Sequence, residues 1–252
     1  MKKILGESLP LDKKVILFAG SARGGNEVSK LLMLEESIEN GILRDCCVFY
    51  RPHPFRLAVV TEPNFFHQDF KHVILDPTLK ERFHHFWTDD GIKPFPRKTT
   101  KFPRDFRHTY KVFSISSVMV ATITTYMVEA MWFGLTCVEI GYVGTANKQF
   151  NIRYDIASSA ALQCLPSSFA CMHPDQLVDT INDALRFGES QQNIEVSRKY
   201  LANLVYDDDM PFGERIMNVV DTILYHRKDG TYHFLNNPII DVDKQENVVV
   251  EQ

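Results

Sequence analysis

The sequence predicts an α/β fold built on a doubly wound parallel sheet, and three observations predict it. Continuous apolar runs, at 15–19, 46–50 and 117–123 among others, read as strands buried on both faces. Segments with a helical apolar stripe separate these runs. A glycine-rich turn at 20–26 joins the first run to the first helical segment. Strands that alternate with helices at such intervals form a parallel sheet covered by helices.

The elements follow in order. Lys13-Lys14 precede the strand 15–19, and the turn leads into a helix over 27–40. Its apolar positions Val28, Leu31, Leu32, Leu34 and Ile38 make one stripe, and Gly41 stops it. The strand 46–50 ends at Arg51-Pro52-His53-Pro54, and 72–77 is a short third strand. The stretch 80–107 carries Pro94, Pro96 and Pro103 and reads as a long irregular insertion, with a helix at 79–87. A helix at 106–114 precedes the fourth strand, 117–123. Thr124-Thr125 cap a helix over 126–133, closed by Gly134, and 136–140 is the fifth strand. Then come a helix at 150–163, a strand at 169–172 and a helix at 174–187 that begins on Pro174. Helices at 189–204 and 212–226 follow. The expected organisation is one domain over 1–240, with the insertion near 77–110, and a polar tail at 241–252.

Bulk properties narrow the function. The 252 residues suffice to bury a core, and 44% hydrophobic residues is ordinary for a soluble protein. A net charge of -4 argues against nucleic-acid partners. The five cysteines are odd in number and lack zinc spacing, so they read as reduced, buried thiols of a cytosolic protein. The chain opens without a signal-peptide pattern, and no apolar run approaches the roughly 18 residues of a membrane span. The 18 Phe, many between 49 and 113, are expected in the core, with peripheral membrane attachment as the alternative.

In an open parallel sheet, ligands bind outside the carboxyl ends of the strands, so the loops there hold the candidates. Gly20, Ser21 and Arg23 open the first loop, where glycines admit a phosphate and a helix N-terminus favours it. A tight turn with a solvated Arg23 accounts for the same residues. Arg51 and His53 lie in the second loop: Arg51 can grip a phosphate with two donors, and His53, between two prolines, can donate to one or protonate near neutral pH. Thr124 and Thr125 place hydroxyls at a helix start, and Glu129, four residues on, can accept both hydroxyls of a ribose. An ordinary N-cap with a dipole-favouring Glu129 explains these residues equally. Gly141, Tyr142 and Gly144 stand where a base pocket would lie. Asp207-Asp208-Asp209 reads as a solvated charge run, and no metal site is assigned.

The order of a strand ending in Arg51-Pro52-His53-Pro54 and a later strand ending in Thr124-Thr125, with Glu129-Ala130 on the next helix, resembles the donor-binding domain of GT-B glycosyltransferases of bacterial surface polysaccharide synthesis. The likeness is to the polysialyltransferase-like and CDP-glycerol glycerophosphotransferase-like enzymes and covers about residues 15–187. It implies a Rossmann-like half of a GT-B fold. His53 with Pro54 then matches the phosphate-holding His-Pro motif, Thr124 with Thr125 the Ser/Thr motif, and Glu129 the ribose-binding acid. The opening Gly20-Ser21-Ala22-Arg23 resembles the phosphate-side loop. The resemblance implies a nucleotide-activated sugar as donor, a saccharide or lipid-linked acceptor, no cofactor and no nucleic acid. It also implies a cytoplasmic setting, with the inner membrane face as an alternative. Its second Rossmann-like domain, which supplies the base, is expected elsewhere, on another segment or chain. Rival readings are a non-catalytic nucleotide-sugar-binding or assembly subunit and, behind it, a nucleotide-sugar epimerase.

Overall fold

A computed structural model of the chain describes residues 2–4, 7–10, 12–20, 27–53, 65, 68–78, 87–88, 91–92, 106–122, 124–145, 148–151, 164–202, 214 and 217. The chain groups into two compact units, Met1–Leu201 and Ala202–Gln252. The elements below belong to the first unit, save the last residue of the final helix.

A hairpin of β1 (Lys2–Ile4) and β2 (Glu7–Leu9) opens the chain. Then come β3 (Lys14–Ala19), α1 (Glu27–Glu39), β4 (Cys46–Arg51) and β5 (Val73–Leu75). β6 (Trp87–Thr88) and β7 (Gly91–Ile92) pair antiparallel. α2 (Phe106–Ile115) leads to β8 (Val118–Thr122), α3 (Thr125–Trp132) and β9 (Thr136–Ile140). β10 (Tyr142–Thr145) and β11 (Lys148–Asn151) form another hairpin. β12 (Ser168–Cys171), a 3-10 turn at Pro174–Gln176, α4 (Leu177–Gly188) and α5 (Gln191–Ala202) complete the series.

Six strands form one sheet in the order β12-β9-β8-β3-β4-β5, with every neighbouring pair parallel. The chain winds outward through β3, β4 and β5, returns to the centre, and winds the other way through β8, β9 and β12. This is the doubly wound α/β arrangement that the apolar runs predict, and its direction reverses between β3 and β8.

Alternation along each strand sends side chains to both faces. Ile16, Phe18, Val48, Val120 and Val138 pack with Leu31, Leu34 and Ile38 of α1 and with Leu177, Ile181 and Ala184 of α4. α3 touches β8 and β9, and α2 touches β3. There the Cys137 thiol meets the Met127 carbonyl at 3.8 Å. Both faces of β3, β4 and β8 are therefore dry, which is why these strands read as apolar runs rather than alternating ones.

The helix stops fall where glycine signals them: Gly41 (φ 81) follows α1 and Gly134 (φ 87) follows α3. The α1 stripe is corrected in detail. Leu31, Leu34 and Ile38 are buried, but Leu32 is exposed and Val28 half-buried. Leu32 stands about 100° round the helix from Leu31, off the sheet-facing side. Glu27, Lys30 and Glu35 fill the buried face instead, and the Glu35 carboxylate caps the Lys71 and His72 amides (2.7–3.1 Å) ahead of β5.

Two expected helices meet strands. Trp87 pairs with Ile92, and residues 79–86 lie outside the described set. Phe150 pairs with Val143 in the β10–β11 hairpin, and 152–163 lie outside it. At Trp87 and at Phe150 and Asn151, the described residues of the two segments, hairpin pairing stands where helix was expected. Of the expected helix 212–226, only Glu214 and Met217 are described, both helical; the tail 241–252 lies outside. Phe18, Phe49 and Phe113 are core residues, whereas Phe106 and Phe133 are exposed. Among the described residues, no helix is long and apolar enough to cross a membrane.

Candidate functional site

The carboxyl ends of β3, β4 and β8 meet at the point where the sheet reverses direction. In a doubly wound sheet a ligand crevice lies at such a point. Here a cavity of about 260 Å³ is lined by Ala19, Gly20, Arg51, Pro52, His53, Thr109, Thr124, Thr125 and Tyr126. A larger cavity, about 540 Å³, opens at the opposite, amino ends of the strands. Two of its three cations already hydrogen-bond a carboxylate, Arg186 that of Asp183 and Lys14 that of Glu189. The smaller cavity is therefore the better candidate for an anionic ligand.

Gly20 fixes how two walls of this cavity meet. Its amide donates to the Arg51 carbonyl (2.8 Å). A Cβ on Gly20 would stand 2.7 Å from the His53 nitrogen, 2.9 Å from the Pro52 Cα and 2.7 Å from a Glu27 carboxylate oxygen. Only glycine lets β3 close on the Arg51-Pro52-His53 backbone. The close approach that Gly20 makes in the structure is to the neighbouring loop, whereas the sequence reading expected one to a phosphate. Ser21 and Arg23 lie outside the described residues, as does Pro54. His53 is half-buried and faces the cavity.

Arg51 ends β4 beside Asp76, which follows β5; Tyr50 and Leu75 pair in register one residue earlier. The guanidinium Nη1 lies 3.5 Å from an Asp76 oxygen, and the Arg51 Cζ stands 5.8 Å from the centroid of the Tyr126 ring. Asp76 is completely buried. Its carboxylate accepts from the Thr78 hydroxyl (2.6 Å) and amide (3.0 Å), and His108 Nε2 reaches both oxygens (2.9 and 3.1 Å). An ionised carboxylate only accepts, so the His108 proton sits on Nε2 in this contact. Burial alone would raise the Asp76 pKa. The His108 and Thr78 hydrogen bonds and the Arg51 charge outweigh it and hold the pKa below the ordinary carboxylate value. Burial raises the Tyr126 pKa, against the pull of Arg51 and Thr109.

The third wall is the start of α3. Thr124 is extended (φ -155, ψ 151), and its hydroxyl oxygen accepts from the Tyr126 amide at 3.4 Å. It is a true N-cap. An N-cap threonine spends a lone pair on the helix and keeps its O–H proton free to donate, so capping and ligand binding are compatible. Thr125 is the first helical residue and is exposed. Glu129 sits half-buried one turn further on and is not among the cavity-lining residues. Tyr142 is buried beneath Lys30, whose ammonium is 5.3 Å from its ring, and so belongs to the core.

The fold thus brings Gly20, Arg51, His53, Thr124 and Thr125 to one cavity. Thr109 and the Tyr126 side chain also line it, and Asp76 and His108 stand behind Arg51; of these the sequence pointed only to the helix start at Tyr126. Asp76 follows a strand and obeys the same carboxyl-end rule, so it was findable. His108 and Thr109 sit on a helix beyond a long insertion, and no local pattern points them here. The resulting wall of a guanidinium, an imidazole, two hydroxyls and a helix start suits a phosphate.

No family model and no curated protein matches this sequence. Solved structures align with it at low identity. The wall teichoic acid polymerase TagF is 14% identical, covering 88% of this chain and 46% of that one, with a TM-score of 0.44. The glycotransferase of kitacinnamycin is 14% identical over 79% of this chain and 43% of its own, with a TM-score of 0.47. WaaG, a glycosyltransferase involved in lipopolysaccharide biosynthesis, is 12% identical over 76% and 43%, with a TM-score of 0.38. The chain spans less than half the length of each. At these scores the likenesses add nothing to the fold, which rests on the observed strand order.

Proposed function

We propose that the chain is the donor-binding half of a nucleotide-sugar-dependent glycosyltransferase of the GT-B kind, acting in surface polysaccharide or glycoconjugate synthesis. One observation carries the reading: Gly20, Arg51, His53, Thr124 and Thr125, from three separate segments, converge on one cavity at the point where the sheet reverses. Gly20, His53, Thr124 and Thr125 are positions at which the sequence resembles that family's phosphate-side motifs, and Arg51 stands two residues before His53.

The chemistry follows from the donors. As the bond between sugar and phosphate breaks, negative charge builds on the leaving phosphate. Arg51 supplies a permanent positive charge, His53 a proton near neutral pH, and Thr124 and Thr125 O–H donors. Preorganised donors in a partly dry site lower the barrier without reorganising water. Glu129 is assigned to the ribose hydroxyls, and Ser21 and Arg23 to the phosphate side. The reaction asks for no cofactor beyond the activated donor. The acceptor is a saccharide or a lipid-linked saccharide, and a second Rossmann-like domain or chain supplies the base. The setting is cytoplasmic, at or near the inner membrane face.

A thermal-shift panel of CMP, CDP, UDP and GDP tests this. At a hundred times Kd, a bound nucleotide adds about 2.7 kcal/mol, a readable rise in Tm. His53→Ala is expected to weaken binding of the nucleotide and not of the bare nucleoside. A flat panel contradicts the proposal. Binding without donor hydrolysis, even when an acceptor and partner domain are supplied, favours a non-catalytic binding subunit.

A further inference from the structure

Arg51 lines the cavity, and one of its guanidinium nitrogens has no hydrogen bond. Its Nη1 is buried without a hydrogen bond, and its nearest carboxylate oxygen, on Asp76, stays at 3.5 Å, an ion pair rather than a bond. Asp76, in contrast, spends its lone pairs on His108 and Thr78. The carboxylate is thereby immobilised from two sides, by α2 and by its own loop, and cannot rotate to capture the guanidinium. The Tyr126 ring, which lines the same cavity, has its centroid 5.8 Å from the guanidinium carbon.

We infer that buried Asp76, oriented by His108 and Thr78, is a positioning residue that holds the Arg51 guanidinium against Tyr126 with its donors directed to a ligand phosphate. This rests on the phosphate-site reading above and extends it: the recognition element is a relay from α2 through β5 to β4, not Arg51 alone. A flexible arginine would lose side-chain freedom on gripping a phosphate, and the relay removes that loss beforehand. The arrangement favours the paired oxygens of a phosphate or diphosphate over a single acceptor.

Two measurements on the full chain test it. The first titrates inorganic pyrophosphate and CDP, with cytidine as the control. Asp76→Asn and His108→Leu are expected to weaken pyrophosphate and CDP about tenfold, with cytidine unchanged, and His108→Gln, which keeps an N–H donor, to restore most of the affinity. The second follows guanidinium nitrogen resonances in arginine-labelled protein, with Arg51→Lys as the assignment. Slow guanidinium rotation at Arg51 is expected in the wild type and fast rotation in His108→Leu. If Asp76→Asn fails to fold, the His108 pair carries both arms. Pyrophosphate affinity and Arg51 rotation in His108→Leu equal to the wild type would overturn the relay. If the wild type binds neither pyrophosphate nor CDP while Arg51 rotates slowly, the phosphate reading fails and the positioning stands.

Discussion

Single atoms decide the candidate site at Gly20. A methyl group there collides with two backbone atoms of the next loop and with a buried carboxylate. Gly20→Ala is expected to destabilise the fold by about 1–3 kcal/mol, the usual result of overpacking, and to weaken nucleotide binding because Pro52 and His53 must retreat. Denaturant unfolding measures the first effect and titration the second. Asp76 gives a pH signature. Its folded-state pKa is depressed, so its stabilisation is present above the unfolded value near 3.9 and is lost as pH falls through the lower folded value. Asp76→Asn is therefore expected to lower stability at pH 7 by about 1–3 kcal/mol and to flatten the acid limb of the stability curve. An acid limb as steep as the wild type's would count against this. The thiols divide as well. Cys46, Cys47, Cys137 and Cys171 are buried, and burial raises Cys46 and Cys171 each to about 11, while Cys164 is exposed. A thiol reagent at pH 8 is expected to label Cys164 alone in the folded protein and all five after unfolding.

Elements join these atoms to the fold. α1 is held by a narrow stripe, and Leu34→Ala is expected to cost about 2–5 kcal/mol, whereas Leu32→Ala on the exposed side costs a few tenths. Thr124→Ala removes the α3 cap and is expected to cost about 0.5–2 kcal/mol while also weakening phosphate binding; Thr124→Ser keeps both. The central strands β3, β4 and β8 were legible because each is dry on both faces and so reads as a largely unbroken apolar run. Glycine stops were legible because no other residue takes their backbone angles at so little cost. The small hairpins were not. Phe150 and Trp87 sit in short mixed segments where helical and strand periods overlap, and pairing across the hairpin decides between them. At the site, the loops of β3, β4 and β8 were legible from residue type and position. The Asp76–His108 contact joins residues 32 apart in sequence, and no local spacing encodes such a meeting.

At the scale of the molecule, the sheet order places the cavity. The winding reverses between β3 and β8, and Gly20, Arg51, His53, Thr124 and Thr125, at or just beyond the carboxyl ends of β3, β4 and β8, line one cavity there. The central claim is that this crevice binds the phosphates of a nucleotide. Calorimetric titration of the full chain with CDP and UDP against cytidine and uridine, in the wild type and in Arg51→Ala, tests it most directly. A nucleotide is expected to bind at least about tenfold more tightly than its nucleoside, and Arg51→Ala to erase the difference without lowering the nucleoside's affinity. Nucleotide and nucleoside affinities that are equal in the wild type, or a difference that survives in Arg51→Ala, would contradict it.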